Sequence, residues 1–420
     1  MTRLLPKLRG ELDIAASPIP DRPGLLLRDP LRYSEAVVVV PPQLVLCLRL
    51  FDGAHSDDDL RDLLMRIAPR NEAEAAAGAL ARGLSEAGFV DDEAFQTLRA
   101  QRHDQFSRAS AREAAHAGGG YPAETIPLAQ ALSAWIAVPP TDGAAAVTRP
   151  DSRVVAVAAP HVSPTGGVAT YGAAYRALGP HLADRTFVIL GTSHYGRPNR
   201  LGLTRKPFRT PLGEATTAAT LVDELAAAAP RSIDHEDYCH AVEHSIEFQV
   251  LFLQRIYGPT VKILPILCGP FVPGGGSRPG RSARSRPEDD PAAAAGLDAL
   301  ARLADKHEDR LAWVLGVDMA HVGTRYGDGV KARAHEGVMN DVAVRDRARI
   351  DRIVAGDAGG FWDLVNENGG DDLKWCGSAP LYSFLRACPR ARGRLHRYDQ
   401  WSIDDTSVVT FAALAFHLAP

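Results

Sequence analysis

The chain has 420 residues, and its 47 lysines and arginines against 51 aspartates and glutamates give a formal net charge of −4. A chain without a basic surplus is not expected to bind nucleic acid or an anionic membrane in a general way. Hydrophobic residues make up 45% and charged residues 23% of the chain, a composition typical of globular proteins. At about 100–200 residues per domain, the length predicts two or three domains.

The cellular location and the redox state follow from simple features of the chain. The first residues, MTRLLPKLRGELD, lack the continuous apolar stretch of a signal peptide, and no later run reaches the roughly 18 apolar residues of a membrane span. We therefore expect a cytoplasmic protein without membrane contact. The cysteines lie far apart and include no C-x-x-C pair, which argues against a disulfide framework and a structural zinc ribbon. A cysteine with a function is then expected to be a thiol or a metal ligand.

Residues 1–112 have the pattern of a small separate domain. The β-branched run Val37–Val40 predicts a strand, and Ser56 followed by Asp59 predicts a capping box at a helix start. A second helix is expected over Glu72–Ala87. This order resembles the winged-helix scaffold of PqqD-like domains, and the resemblance implies binding of a peptide or protein partner. The alternative is a helical extension that only packs on the main domain.

Residues 113–420 alternate apolar runs with helical stretches. Strands are predicted over Val154–Ala159, Thr186–Gly191, Val261–Leu267, Leu311–Val317 and Ser407–Ala412. Helices are predicted over Thr216–Ala229, Ile246–Ile256 and Ala292–Asp305. Apolar runs that alternate with helices predict an α/β domain whose mostly parallel or mixed sheet is flanked by helices. Residues 270–291, which are rich in glycine, proline and arginine, are expected to form a flexible insertion.

Polar side chains follow three of the predicted strands. His161 and His194 each follow one strand, and Asp318 with His321 follows another. In open α/β sheets, ligands bind at the carboxyl ends of the strands, so these side chains are expected at one edge of the sheet. A single histidine in such a place is more often structural, but the same placement three times favours a functional site.

Two further segments carry reactive side chains. His240 and His244 are four residues apart, but the segment HAVEH lacks the glutamate of H-E-x-x-H, so a zinc protease is not indicated. Cys376 lies in DLKWCGSAP beside a glycine. The chain has no G-x-S-x-G elbow, no P-loop and no G-x-G-x-x-G after a strand, which excludes the corresponding enzyme classes. Histidines, an aspartate and a cysteine are the ligand types of a mononuclear transition-metal site.

Seven ordered motifs resemble the Memo family, known in bacteria as AmmeMemoRadiSam system protein B. They are VAAPHVSPTGGVATYGAAY, FVILGTSHYG, RTPLGEA, EHSIEFQ, VDMAHVG, WCGSAPL and DTSVVTFAALAF. The resemblance implies a fold similar to that of class III extradiol dioxygenases, which hold a non-haem metal at the mouth of an α/β sheet. It also implies three metal ligands, His161, His194 and Cys376. A thiolate shifts the preference toward softer, redox-active metals, so iron or copper is expected rather than zinc.

The same resemblance assigns residues around the expected metal. It implies that His244 is an acid/base and that Asp318 and His321 line the pocket, so these three are the candidate catalytic residues. We therefore predict a metal-dependent redox or oxygenase-like enzyme that acts with radical-SAM and AMMECR-type proteins of the same system. The alternative is a non-catalytic binding protein that captures a peptide or small ligand and a protein partner. A purely structural role of the histidines in loop packing is a third hypothesis.

Overall fold

The computed structural model describes residues 3–138, 154–271 and 285–419. The chain divides into two compact units, Met1–Ala109 and Ser110–Pro420. The division falls shortly before the end of the predicted 1–112 domain, so Arg112 belongs to the second unit.

The described part of the first unit holds a three-stranded antiparallel sheet followed by helices. Its strands are β1 (Asp13–Ala16), β2 (Leu25–Arg28) and β3 (Val37–Val40), with β2 in the centre. A 3₁₀ helix (Pro42–Leu50) precedes α1 (Asp57–Leu64), α2 (Arg70–Glu86) and α3 (Glu93–Arg108). Helix α1 begins with the predicted capping box between Ser56 and Asp59. The winged-helix likeness of this region stays a prediction.

The second unit contains the remaining strands and helices of the described residues. The strands are β4 (Val154–Ala159), β5 (Thr186–Thr192), β6 (Leu201–Leu203), β7 (Phe208–Thr210), β8 (Gly213–Thr217), β9 (Ile233–His235), β10 (Lys262–Cys268), β11 (Leu311–Gly316), β12 (His321–Gly323), β13 (Ala391–Asp404) and β14 (Ser407–Leu418). The helices are α4 (Thr125–Ala137), α5 (Val168–Tyr175), α6 (Ala219–Ala228), α7 (Cys239–Val242), α8 (Glu247–Tyr257), α9 (Pro291–Lys306), α10 (Val338–Val354), α11 (Ala358–Val365) and α12 (Ser378–Ala387). Short 3₁₀ helices cover Pro180–Leu182, Pro287–Asp289, Glu308–Arg310 and Thr324–Tyr326. Over the described ranges, no helix is long and apolar enough to cross a bilayer.

Over the described residues, one 11-stranded mixed sheet organises the second unit. Its main path is β12-β14-β4-β11-β5-β10-β6-β9, with β13 on β14 and β8 joining β7 to β10. The central strands β4, β11, β5 and β10 are parallel, whereas β14 runs antiparallel to β4. The predicted α/β class with a mixed, helix-flanked sheet is therefore confirmed. The similarity to class III extradiol dioxygenases stays a prediction.

Both faces of the central strands are covered by helices. On β4, Ala156 and Ala158 face a core formed with α6 and α9–α12. Val157 and Ala159 face the opposite core, formed with α4, α5 and α8. Side chains alternate between the two faces of a strand, so a strand that is covered on both faces has a continuous apolar sequence. This is why the sequence predicts these strands.

One predicted helix starts later than expected. Helix α6 begins at Ala219, whereas the sequence predicted a start at Thr216. Thr216 and Thr217 instead pair with Lys262 and Ile263 of β10. Their β-branched side chains fit a pleated strand better than a helix.

The predicted flexible insertion over 270–291 falls largely on residues 272–284, which lie outside the described residues. Its flanks have defined structure. The Phe271 ring meets that of Tyr382 edge-on at 5.9 Å, and Glu288 accepts a hydrogen bond from the Tyr382 hydroxyl at 2.7 Å. Pro287 is also buried. Residues at the borders of the range thus pack on helices α11 and α12, and the insertion itself stays a prediction.

Candidate metal centre

The parallel central strands bring polar side chains to one edge of the sheet. His161 follows β4, His194 follows β5 and Asp318 follows β11. These strands are parallel neighbours, so their carboxyl ends coincide. The ring centroids of His161 and His194 are 5.1 Å apart, and the Asp318 carboxylate accepts a hydrogen bond from the backbone N–H of His161 at 2.9 Å.

Cys376 joins this group from the loop before α12. Its Sγ lies 3.3 Å from Nε2 of His161, and the ligand atoms of His161, His194 and Cys376 all lie within 4.8 Å of one another. The adjacent Gly377 donates its backbone N–H to the Asp318 carbonyl at 3.0 Å. A Cβ at Gly377 would lie 2.6 Å from that carbonyl oxygen, so a residue with a side chain cannot take its place without displacing the loop.

Hydrogen bonds at Nδ1 orient both histidine rings. His161 donates Nδ1–H to the Gly316 carbonyl at 2.9 Å, and His194 donates Nδ1–H to the Glu243 carboxylate at 3.0 Å. In metal sites, such partners fix the ring and its tautomer and leave Nε2 for the ion. Two imidazole nitrogens and one thiolate suit a transition metal, so the residues present fit the expected ion.

The charges of the group favour a thiolate. Burial raises the pKa of the Cys376 thiol, but His161 and His321 outweigh it and hold that pKa well below its usual range. Burial lowers the pKa of His161, yet Asp318 and Cys376 raise it to about 9. These charges favour the thiolate of Cys376, the form that binds metals.

Glu243 is the site residue that the sequence analysis did not assign. Its side chain is 1% exposed, and its carboxylate accepts the backbone N–H groups of His194 and His244 as well as Nδ1–H of His194. Burial raises the pKa of Glu243, but the two histidines hold it well below its usual range. In the sequence, the feature that could have indicated Glu243 is its position directly before His244. Spacing alone does not show that Glu243 also reaches His194.

His244 lies beside both histidine ligands. Its ring stacks on that of His194 with centroids 5.0 Å apart and lies 5.2 Å from that of His161. Burial, together with the charges of the two neighbouring histidines, lowers the pKa of His244 against the effect of Glu243. The His244 side chain is 30% exposed and that of His194 is 28% exposed, so solvent reaches the group from this side.

Asp318 and His321, the other two predicted pocket residues, also lie close to the group. One carboxylate oxygen of Asp318 lies 3.5 Å from Nε2 of His161. The Nδ1 atom of His321 bonds to the carbonyls of Met319 and Lys374 at 2.9 and 3.0 Å. Their catalytic roles stay predictions.

A second group of candidate ligands in the described part of the chain consists of His194, Glu243 and His244. Glu243 already bonds to both histidines. We therefore interpret this second group as one that orients His194 for the site formed by His161, His194 and Cys376. His240, in contrast, is buried, bonds to the Gly202 carbonyl at 3.0 Å and belongs to neither group.

Comparison with known proteins finds one matching family model and several similar proteins. Residues 112–272 match the family model of the Memo-like protein. A MEMO1 family protein of Aquifex aeolicus is 25% identical over 244 residues, which cover 58% of this chain and 62% of the relative. One from Thermus thermophilus is 26% identical over 291 residues, 69% of this chain and 77% of the relative. A third, from Thermococcus kodakarensis, is 36% identical over 123 residues, 28% of this chain and 42% of the relative. Together, the family-model match and these relatives show that the chain contains a Memo-like domain and is similar to MEMO1 family proteins.

Proposed function

We propose that the protein binds one transition-metal ion through His161, His194 and Cys376 and acts as a metal-dependent redox or oxygenase-like enzyme. One observation carries the proposal: the three ligand atoms lie within 4.8 Å of one another. The thiolate favours iron or copper over zinc. Such an ion, held by these three residues, would supply redox chemistry.

His244 is the residue that we propose to transfer a proton. Its lowered pKa keeps the imidazole neutral near neutral pH, as a general base requires. Nδ1 of His244 lies 3.2 Å from a Glu243 oxygen, and we propose that Nε2 is the atom that takes the proton. We propose supporting roles for Asp318, which lies against His161, and for His321, which helps to lower the pKa of the Cys376 thiol.

The test is elemental analysis of untagged protein purified without oxygen. We expect about one equivalent of iron or copper. His161→Ala and Cys376→Ser should lose this metal. His307→Ala and Cys388→Ser are matched controls, because His307 pairs with Glu224 and Cys388 lies outside the ligand group. Full metal content in His161→Ala would remove the assignment.

A second candidate function rests on the first unit. Strand β3 forms one edge of its sheet and, over the described residues, pairs with β2 only. Val37 on this strand is 59% exposed. A free strand edge can bind an extended peptide by adding a strand, in keeping with the PqqD-like resemblance. If the protein holds no metal and takes up none when iron, copper or zinc is offered, this binding function becomes the better proposal. The cytoplasmic location and the radical-SAM and AMMECR-type partners stay predictions.

A further inference from the structure

Arg112 is buried beside the turn that carries Glu243 and His244. The residue is 1% exposed. Its Nε donates to the His240 carbonyl at 2.8 Å, and its Nη2 donates to the Glu243 carbonyl at 2.7 Å. Its Nη1 bonds to the carboxylate of Glu247 at the start of α8. The Arg112 guanidinium group thus binds main-chain carbonyls before the turn and the first residue of helix α8 after it.

Glu247 pairs with the Arg112 charge, and both of its carboxylate oxygens accept hydrogen bonds. One oxygen accepts from Arg112 and from the backbone N–H of Ala115 at 3.1 Å. The other accepts from the backbone N–H of His116 at 3.0 Å and from the Tyr121 hydroxyl. Burial raises the pKa of Glu247, but Arg112 and His116 outweigh it, so the carboxyl is ionised at neutral pH.

The segment that follows Arg112 also contacts the turn directly. Nε2 of His116 bonds to the Val242 carbonyl at 2.7 Å, and its ring meets that of His244 edge-on with centroids 5.5 Å apart. On the far side of the turn, the Ser245 hydroxyl donates to the Thr192 carbonyl at 2.8 Å, at the end of β5. The turn is therefore held between the segment after Arg112 and the strand end.

We infer that the Arg112–Glu247 pair is a positioning device that holds this turn so that the Glu243 carboxylate meets Nδ1 of His194. The inference rests on the proposed metal-binding function. Arg112 contacts none of the three ligands, so it is a positioning residue. The planar guanidinium group has several donors in a fixed arrangement, which a lysine cannot reproduce.

The test measures Co²⁺ binding by the full-length, metal-free protein. The wild type should bind one equivalent with a thiolate-to-cobalt absorption band. Arg112→Met should bind cobalt at least about tenfold more weakly, with shifted visible bands, because a ligand whose supporting bonds are lost is less well oriented. Arg112→Lys should not restore the wild-type spectrum. Arg176→Met is the matched control, because Arg176 also donates to main-chain carbonyls, those of Ile136 and Val138, but away from the turn.

The two possible failures can be told apart. Wild-type affinity and spectrum in Arg112→Met would overturn the positioning inference and leave the metal proposal intact. A wild type that binds no cobalt would overturn the metal proposal and the inference with it. If Arg112→Met does not fold, the double variant Arg112→Met/Glu247→Gln removes the unpaired buried charge and should show the same weakening of cobalt binding.

Discussion

The Glu243 carboxylate bonds twice to His194, at 3.0 Å to Nδ1 of its ring and at 2.9 Å to its backbone N–H. Because both contacts lie on one residue, they fix the ring relative to its own main chain. Glu243 also outweighs burial and holds the pKa of His194 well above its usual value. The proton on Nδ1 is thereby kept in place, and Nε2 faces the other ligands.

Glu243→Gln should weaken metal binding about 10–100-fold, the usual effect of removing a hydrogen-bonding partner of a ligand. Glutamine keeps the size of the side chain but removes the charge that holds the Nδ1 proton. The affinity is measured by competition with a chelator. Glu236→Gln is the control, because Glu236 bonds to Thr204 and Arg205 outside the ligand group. Equal affinities of Glu243→Gln and the wild type would contradict the prediction.

Cys376 in the metal-free protein should react with iodoacetamide at a rate that changes little between about pH 6 and 8, because it is already a thiolate. Cys388 is the internal control: it is also half-buried, but burial raises the pKa of its thiol to about 12. Its reaction should be slow and should speed up with pH. In His161→Ala, the Cys376 rate should become pH-dependent, as measured by mass spectrometry of the labelled peptides. Similar pH profiles for both cysteines in the wild type would refute this prediction.

Glu247→Gln should destabilise the second unit by about 3 kcal/mol at neutral pH, because it leaves the Arg112 charge unpaired in the interior. The pKa of Glu247 is lowered by folding, so the carboxylate stabilises the fold above its unfolded pKa of about 4.3. That contribution is lost as the pH falls through the lower, folded pKa. The difference between variant and wild type should therefore shrink in acid.

Urea titrations followed by tryptophan fluorescence measure this difference, since all 5 tryptophans lie in the second unit. Glu224→Gln is a control, because Glu224 pairs with Lys306 and His307 away from Arg112. A difference that stays constant from neutral to acid pH would show that the Glu247 charge is not involved.

Gly316→Ala should disturb the site from the end of β11. A Cβ at this position would lie 2.1 Å from the Ser245 carbonyl oxygen, so the turn after Glu243 must move. We expect a loss of about 1–3 kcal/mol in unfolding free energy, as for other overpacked sites, together with weaker metal binding. Gly329→Ala is the control, because a Cβ there meets nothing within 4 Å. Unchanged stability and metal affinity in Gly316→Ala would be inconsistent with this close packing.

Two truncations should separate the roles of the first unit and Arg112. A chain that begins at Ser110 keeps Arg112 and should bind Co²⁺ like the full-length protein. A chain that begins at Glu113 lacks only a few further residues but loses the guanidinium group that holds the turn. It should bind cobalt more weakly or fail to fold, as judged by absorption and tryptophan fluorescence. Equal binding by both truncations would argue against a role for Arg112.

The sequence by itself determined the α/β architecture and the edge of the sheet at which polar residues collect. Strands such as β4, β5 and β11 are covered on both faces, so each appears as an uninterrupted apolar run, and the residue after each run can be found directly. The motif order also pointed to Cys376, which reaches His161 across 215 positions of the chain.

Only the tertiary structure decided how these side chains are supported. Glu243 meets His194 across 49 positions, and Arg112 meets Glu247 across 135. Neither pairing can be recognised from a periodic pattern in the sequence. A hydrogen bond between distant segments depends on the path of the folded chain and not on local spacing. The late start of α6 has the same origin, since Thr216 and Thr217 follow the neighbouring strand β10 once the sheet has formed.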